Sequence, residues 1–200
     1  MLQRRPAQFL PPAGTRARIG LFGGSFDPPH RGHIHVAKTA LKRLQLDQVW
    51  WFPTPGNPLK EPPSAYSARV EAVQALIAPH KAFRLSTVEQ ALQLRYTRDL
   101  VQVLRRHCPR AQLIWIMGGD SLMTFHYWKD WEDIAYTVPI AAVARPGFER
   151  AALSSPFARI FAARRVAASA APAVLVRTRP AWTYISAPLD PISSTALRQG

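Results

Sequence analysis

Residues 20–33 read Gly20-Leu21-Phe22-Gly23-Gly24-Ser25-Phe26-Asp27-Pro28-Pro29-His30-Arg31-Gly32-His33. Ile19–Phe22 has the make-up of a short apolar strand. It runs into two glycines, then a proline-stiffened turn, then two histidines placed where a helix should begin. Bare backbone amides, a helix N-terminus and imidazoles converge on one spot, a combination suited to a polyphosphate. Neither Gly23 nor Gly24 has a Cβ, so the chain can come within contact distance of a bound group, although a tight turn without a ligand uses the same pair. His30 and His33 are spaced i, i+3 and share one face of the first helical turn. Their ring N–H groups can donate to phosphate oxygens, and the helix dipole adds positive potential there. A solvated pair of surface histidines is one alternative. A metal site that also draws on His35 and His126 is another. No cysteine or acidic set at metal-like spacing accompanies them, so no metal site is expected.

The other end of the chain carries Ile192-Ser193-Ser194-Thr195-Ala196-Leu197-Arg198. Hydroxyl residues cap helices, but three in a row exceed what capping requires. Arg198 follows Ser194 by four residues and Thr195 by three, so one helical face can bring guanidinium and hydroxyls to the same anion.

Between these two places, strand-like runs (19–22, 49–52, 83–86, 113–117, 138–144 and 174–177) alternate with helical patterns (32–44, 67–78, 97–107, 120–125 and 131–136). A further short helix is expected over 157–163 and a last one near Ser193. Such alternation predicts an α/β fold, a Rossmann-like doubly wound parallel sheet with helices on both faces, in a single domain. Ligands bind beyond the carboxyl ends of the strands in such sheets. Gly118-Gly119-Asp120 follows one strand as Gly23-Gly24 follows another, so the two glycine pairs are expected to be neighbours. The loop Pro53-Thr54-Pro55-Gly56-Asn57-Pro58 faces the same side. Residues 1–17, rich in Pro and Arg without periodicity, are expected to form a flexible tail before a domain spanning 18–200.

Two hundred residues at 48% hydrophobic composition fit one ordinary domain. No apolar run has the length of a membrane span, and the basic start (Arg4, Arg5) is broken by Pro6, Pro11 and Pro12 without an apolar segment, which argues against a secretory signal. The single cysteine, Cys108, excludes an internal disulfide and fits a reducing, cytoplasmic setting. The net charge of +14 comes from 26 basic and 12 acidic side chains. It is consistent with a solubilising surface or with attraction of anions. Residues 150–189 hold Arg150, Arg159, Arg164, Arg165, Arg177 and Arg179 and no acid. Nucleic-acid binding there is the lesser reading, because no compact basic run interleaved with aromatics is present.

Together these motifs resemble the nucleotidylyltransferase superfamily, whose signatures are (His/Thr)-x-Gly-His after the first strand and Ile-Ser-Ser-Thr-x-x-Arg near the end. Here they stand as His30-Arg31-Gly32-His33 and Ile192–Arg198. Within that superfamily the chain is similar to the bacterial nicotinate-nucleotide adenylyltransferases. The similarity is carried by Gly23–His30, the Pro53–Lys60 loop, Tyr96-Thr97, Gly118–Leu122 with Phe125 and Trp128, and Arg145-Pro146-Gly147, and it covers residues 18–198. One difference is Leu59, where the family's loop often has a histidine.

The resemblance implies that ATP and nicotinate mononucleotide give nicotinate adenine dinucleotide and pyrophosphate, with Mg2+ accompanying ATP. It implies catalytic roles for His30, His33 and Arg198. ATP would contact Gly23, Gly24, Ser25, Phe26, His30, His33, Gly118, Asp120, Ile192, Ser193, Ser194, Thr195 and Arg198. The mononucleotide would contact Asn57, Lys60, Tyr96, Thr97, Trp128 and Arg145. Chemistry agrees with these roles. The attacking phosphate is already an anion and pyrophosphate leaves as a stabilised one, so the protein must align repelling phosphates and offset spreading charge. The rivals are a sibling such as pantetheine-phosphate adenylyltransferase, a class I aminoacyl-tRNA synthetase fragment lacking its second signature loop, and a basic nucleic-acid-binding module.

Overall fold

The computed structural model describes residues 6–55 and 64–186. Among them, seven strands form one sheet: β1 (Arg18–Gly24), β2 (Gln48–Pro53), β3 (Phe83–Leu85), β4 (Gln112–Gly118), β5 (Ile140–Val143), β6 (Arg165–Val166) and β7 (Trp182–Ile185). The order is β3-β2-β1-β4-β5-β7-β6, and every pairing is parallel. The central strands are covered on both faces and therefore read as continuous apolar runs rather than alternating ones. On one face Leu21, Trp50, Phe52 and Trp115 pack with Leu100, Leu104, Phe125 and Ile134. On the other, Phe22, Trp51, Ile114 and Ile116 pack with Ile34, Ala37, Ala40, Val73 and Ile77.

The helices that cover these faces are α1 (Arg31–Arg43), α2 (Tyr66–Ile77), α3 (Val88–Leu92), α4 (Thr97–His107), α5 (Gly119–Thr124), α6 (Trp131–Thr137), α7 (Glu149–Leu153) and α8 (Pro156–Ile160). In α4, Leu100, Val101 and Leu104 are buried, while Arg105, Arg106 and His107 occupy the last turn, where cations complement the carbonyl end of the dipole. After β1 the chain crosses to β2 and β3 on one side, and β4 then starts the other half beside β1. The crevice above the carboxyl ends of β1 and β4 is thus the topological switch point, where ligands bind in this architecture.

The expected α/β doubly wound parallel sheet is observed. Several elements differ from expectation. The run 174–177 is not a strand: Val174 and Leu175 end a 3-10 stretch, Ala168–Leu175, that contains Pro172. Both are buried beside the α1 face, so their apolar character reflects packing in a connection rather than a sheet ladder. The strands on that side are β7 and the two-residue β6 instead. The 138–144 strand shortens to β5, because the Val138 amide still bonds the Ile134 carbonyl at the end of α6. The 157–163 helix divides into α8 and a 3-10 turn, Ala162–Arg164.

Residues 6–17 also differ from a free tail. Pro6–Phe9 forms a 3-10 turn, and Phe9 and Leu10 pack against the core face that holds α4. The Ser86 hydroxyl donates to the Phe9 carbonyl at 2.7 Å. Phe9→Ala is therefore expected to cost about 1–2 kcal/mol of apolar burial. Thermal unfolding should show a Tm lower by about 3–6 °C; an unchanged Tm would mean that this docking contributes nothing.

Candidate active site

Two histidines cap α1 reciprocally. His30 is the N-cap residue, with extended backbone (φ −149°, ψ 171°), and its Nδ1 accepts the Gly32 amide at 3.1 Å. The His30 amide in turn donates to His33 Nδ1 at 3.2 Å. The arrangement has the logic of a capping box, with imidazoles in place of the usual hydroxyl and carboxamide. It brings the ring centroids to 3.8 Å. Because Nδ1 of each ring accepts a hydrogen bond, the ring proton sits on Nε2, the nitrogen farther from the backbone. Burial, then the neighbouring His30, then Arg145 push the His33 pKa down to about 2. His33 is therefore a neutral N–H donor at physiological pH rather than an imidazolium.

The turn before the helix is held from below. Phe26 has φ +47°, a left-handed conformation costly for an aromatic residue. Its ring is 1% exposed and wedged among Phe22 (5.5 Å), Trp51 (5.1 Å) and His33 (5.0 Å). The ring of Phe26, expected among the ATP contacts, thus faces the core and supports His33, which leaves only its backbone available to a ligand. Gly23 is required within the protein itself: a Cβ there would lie 2.6 Å from the Trp115 ring. At Gly24 a Cβ would press on the Phe26 ring at 3.2 Å. Ser25 contributes its carbonyl to Arg69 at 2.6 Å.

Across the crevice, Gly118 ends β4 and Asp120 sits in the first turn of α5, where a carboxylate complements the helix dipole. Arg145, which follows β5, donates to the Asp120 carboxylate at 3.1 Å. A Cβ on Gly118 would collide with both side chains, so this glycine makes room for the Asp120–Arg145 pair. Arg145, expected at the mononucleotide, is thus held against Asp120 at the start of α5, and its charge is a lesser cause of the lowered His33 pKa, after burial and His30.

Trp128 packs edge-on against Trp115 (6.1 Å) and Phe125 (5.3 Å). Trp115 thereby spans from Gly23 to Trp128, a connection that motif reading missed because its residue lies inside a strand that reads simply as apolar. Tyr96 is the N-cap residue of α4 and Thr97 its first residue. Arg98 ion-pairs with Asp130 (4.0 Å) and Asp133 (3.5 Å), which ties the start of α4 to the segment after Trp128. Tyr96 and Thr97 are thus linked to the Trp128 end of the site. Asn57, Lys60, Ile192, Ser193, Ser194, Thr195 and Arg198, together with the helix expected near Ser193, lie outside the described residues.

Two buried charged residues also escaped motif reading. Arg69 lies on the buried stripe of α2 with Val73 and Ile77. The spacing i, i+4, i+8 carried that signal, a cation on an otherwise apolar helix face. Glu89, in α3, is fully enclosed, and burial pushes its pKa up to about 8, so its carboxyl is largely protonated at neutral pH. Among the described residues no group of three or more His, Cys, Asp or Glu could hold a metal ion. Nor is any helix among them long and apolar enough to cross a membrane.

The His30–His33 cap at the amide end of α1 follows β1, and the Asp120–Arg145 pair follows β4 and β5, so donor groups able to bind and polarise a phosphate chain stand at the carboxyl ends of neighbouring strands. The cytidylyltransferase-like family matches residues 21–200. A probable nicotinate-nucleotide adenylyltransferase of Rhizobium meliloti is 47% identical over 182 residues, covering 90% of this chain and 96% of its own length. One from Ruegeria pomeroyi is 44% identical over 192 residues, covering 96% of this chain and 90% of its own. The fold resembles that of a Plasmodium falciparum nicotinic acid mononucleotide adenylyltransferase complexed with NaAD, with a TM-score of 0.69 at 17% identity over 92% of this chain and 83% of that one. The chain belongs to the cytidylyltransferase-like family and, within it, to the nicotinate-nucleotide adenylyltransferases.

Proposed function

We propose that the protein transfers the adenylyl group of ATP to nicotinate mononucleotide, giving nicotinate adenine dinucleotide and pyrophosphate in NAD biosynthesis. The observation that carries this reading is the reciprocal capping of His30 and His33 above the switch point of the sheet. The mononucleotide phosphate attacks the α-phosphorus of ATP, a P–O bond to pyrophosphate breaks, and no covalent intermediate forms. The nucleophile is already an anion, so no base is needed. What the site supplies is alignment and donors aimed at oxygens whose charge changes.

In this reading the Nε2–H of His33 meets an α-phosphate oxygen, and His30 supports the same phosphate chain. A neutral donor suits a partly enclosed site. It offsets developing charge without the desolvation cost of burying an imidazolium beside Arg145. Arg145, oriented by Asp120, adds positive potential at the crevice. Ser194, Thr195 and Arg198 take the β,γ end on the strength of their sequence motif. Trp128 stacks on the pyridine ring, and the Tyr96-Thr97 backbone distinguishes its carboxylate from an amide. Asn57 and Lys60 approach the mononucleotide phosphate. Mg2+ enters with ATP, bound to its phosphates. A cytoplasmic setting fits the lone, buried Cys108.

Pyrophosphate release should be observed with ATP plus nicotinate mononucleotide. Turnover only with nicotinamide mononucleotide or with pantetheine phosphate would overturn the substrate assignment. His33→Ala should lower kcat by about 10²–10³-fold, the usual cost of losing one preorganised donor, with the circular dichroism spectrum unchanged. A purified variant with near-normal kcat would refute the role of His33.

The pKa of His33 gives a separate check. In 15N NMR of histidine-labelled protein, its ring should remain the neutral Nε2–H tautomer from pH 8 down to pH 5; a titration near 6.5 would contradict the burial argument. The folded value lies below the unfolded one, so this group's contribution to stability is present above about pH 6.5 and falls by about 1.4 kcal/mol per pH unit below it.

A further inference from the structure

Arg69 is 2% exposed, on a helix that otherwise presents Val73 and Ile77 to the core. Its guanidinium is spent on four main-chain carbonyls. Nη1 donates to Ser25 (2.6 Å) and Thr54 (2.9 Å), Nη2 to Pro55 (3.3 Å) and Nε to Ser64 (3.0 Å). The Tyr66 ring lies against its carbon face at 5.4 Å. Asp27 favours the charged form, while burial opposes it more strongly. A second tie runs parallel: the Asp27 carboxylate accepts the Ser64 hydroxyl at 2.5 Å and the Ser64 amide at 3.1 Å.

These four carbonyls belong to three separate segments. Ser25 follows β1, Thr54 and Pro55 follow β2, and Ser64 precedes α2. The β1–β2 ladder ends with the Thr54 amide bonded to the Gly24 carbonyl. From that point Arg69 takes over, joining Ser25 to Thr54 through a single nitrogen. A trans peptide is planar, so drawing the Ser25 carbonyl toward α2 points the Phe26 amide the opposite way. Phe26 is the residue with φ +47°, in a conformation that persists only where surrounding contacts over-determine it. One of those contacts is the packing of its ring. The other is the Arg69 bond to the preceding carbonyl.

We propose that Arg69 is a positioning residue for adenylyl transfer: it fixes the Ser25–Phe26 peptide, and through it the approach to the His30–His33 cap, against the loop that follows β2. It touches no reacting atom. The inference rests on the adenylyltransferase reading for its kinetic consequence, but its structural consequence can be measured without turnover.

The test compares Arg69→Met and Arg69→Lys with Val73→Ala, one turn along the same buried stripe. Arg69→Met is expected to lower kcat by about 10²-fold, the scale of an ångström-size misplacement of a reacting group, with the KM for ATP changed far less. Arg69→Lys, which can restore one or two of the bonds, should recover about tenfold of that loss. Val73→Ala should lower Tm comparably and leave kcat within about threefold of wild type, since removing a methyl pair affects packing rather than alignment. Hydrogen exchange at the peptide covering residues 24–27 should rise in both Arg69 variants and not in Val73→Ala. Parallel kcat losses in Arg69→Met and Val73→Ala at matched Tm, or unchanged exchange at residues 24–27, would overturn the proposal. If Arg69→Met does not fold, Arg69→Lys decides it: a kcat about tenfold below wild type at unchanged Tm supports the role, and wild-type kcat refutes it. Absence of turnover in the wild type would defeat the adenylyltransferase reading, and the exchange data would still decide whether Arg69 fixes the turn.

Discussion

The site depends on one short hydrogen-bonded exchange: the His30 amide to His33 Nδ1, and the Gly32 amide to His30 Nδ1. A helix that opens a crevice has amides with no partner in its own first turn. Most helices satisfy them with a hydroxyl or carboxylate. Here imidazoles do so, and the same act fixes which nitrogen of each ring keeps its proton. Capping and chemistry are therefore one constraint. A substituent that capped α1 equally well, such as serine, would keep the helix and lose the aimed N–H.

Everything packed around that exchange keeps it neutral and fixed. Phe26, in a conformation that aromatics avoid, presents its ring edge-on to His33. Burial and the proximity of Arg145 oppose protonation of His33. Trp115 lies flush against Gly23 and carries the contact on to Trp128. Below them the parallel sheet, apolar on both faces, supplies the rigid ends of β1 and β4 on which the turns stand. Asp120, at the start of α5, pairs with Arg145 after β5 and holds its guanidinium in place.

Much of this was legible in the chain because the signals were local. A strand followed by Gly23-Gly24, a proline-stiffened turn and a His-x-x-His pair at a helix start leaves little freedom, and helix α4 was expected over the residues it occupies. The remainder depended on contacts distant in sequence. Val174 and Leu175 are apolar because they pack in a connection, which composition cannot distinguish from a buried strand. β6 is two residues long and carries no pattern. The resemblance places Phe26 among the ATP contacts; only the fold turns its ring inward. Arg69 escaped motif reading although it stands on an apolar helix stripe, because the four carbonyls it joins come from segments up to 44 positions away.

The central claim is that the capped histidine pair meets the reacting phosphate through a neutral N–H. A crystal structure of the protein with a non-hydrolysable ATP analogue tests it most directly. The account predicts an α-phosphate oxygen about 3 Å from His33 Nε2, within hydrogen-bonding distance, with both Nδ1 caps intact. A triphosphate seated away from α1, or bound with the caps broken and His33 turned out of the crevice, would contradict it.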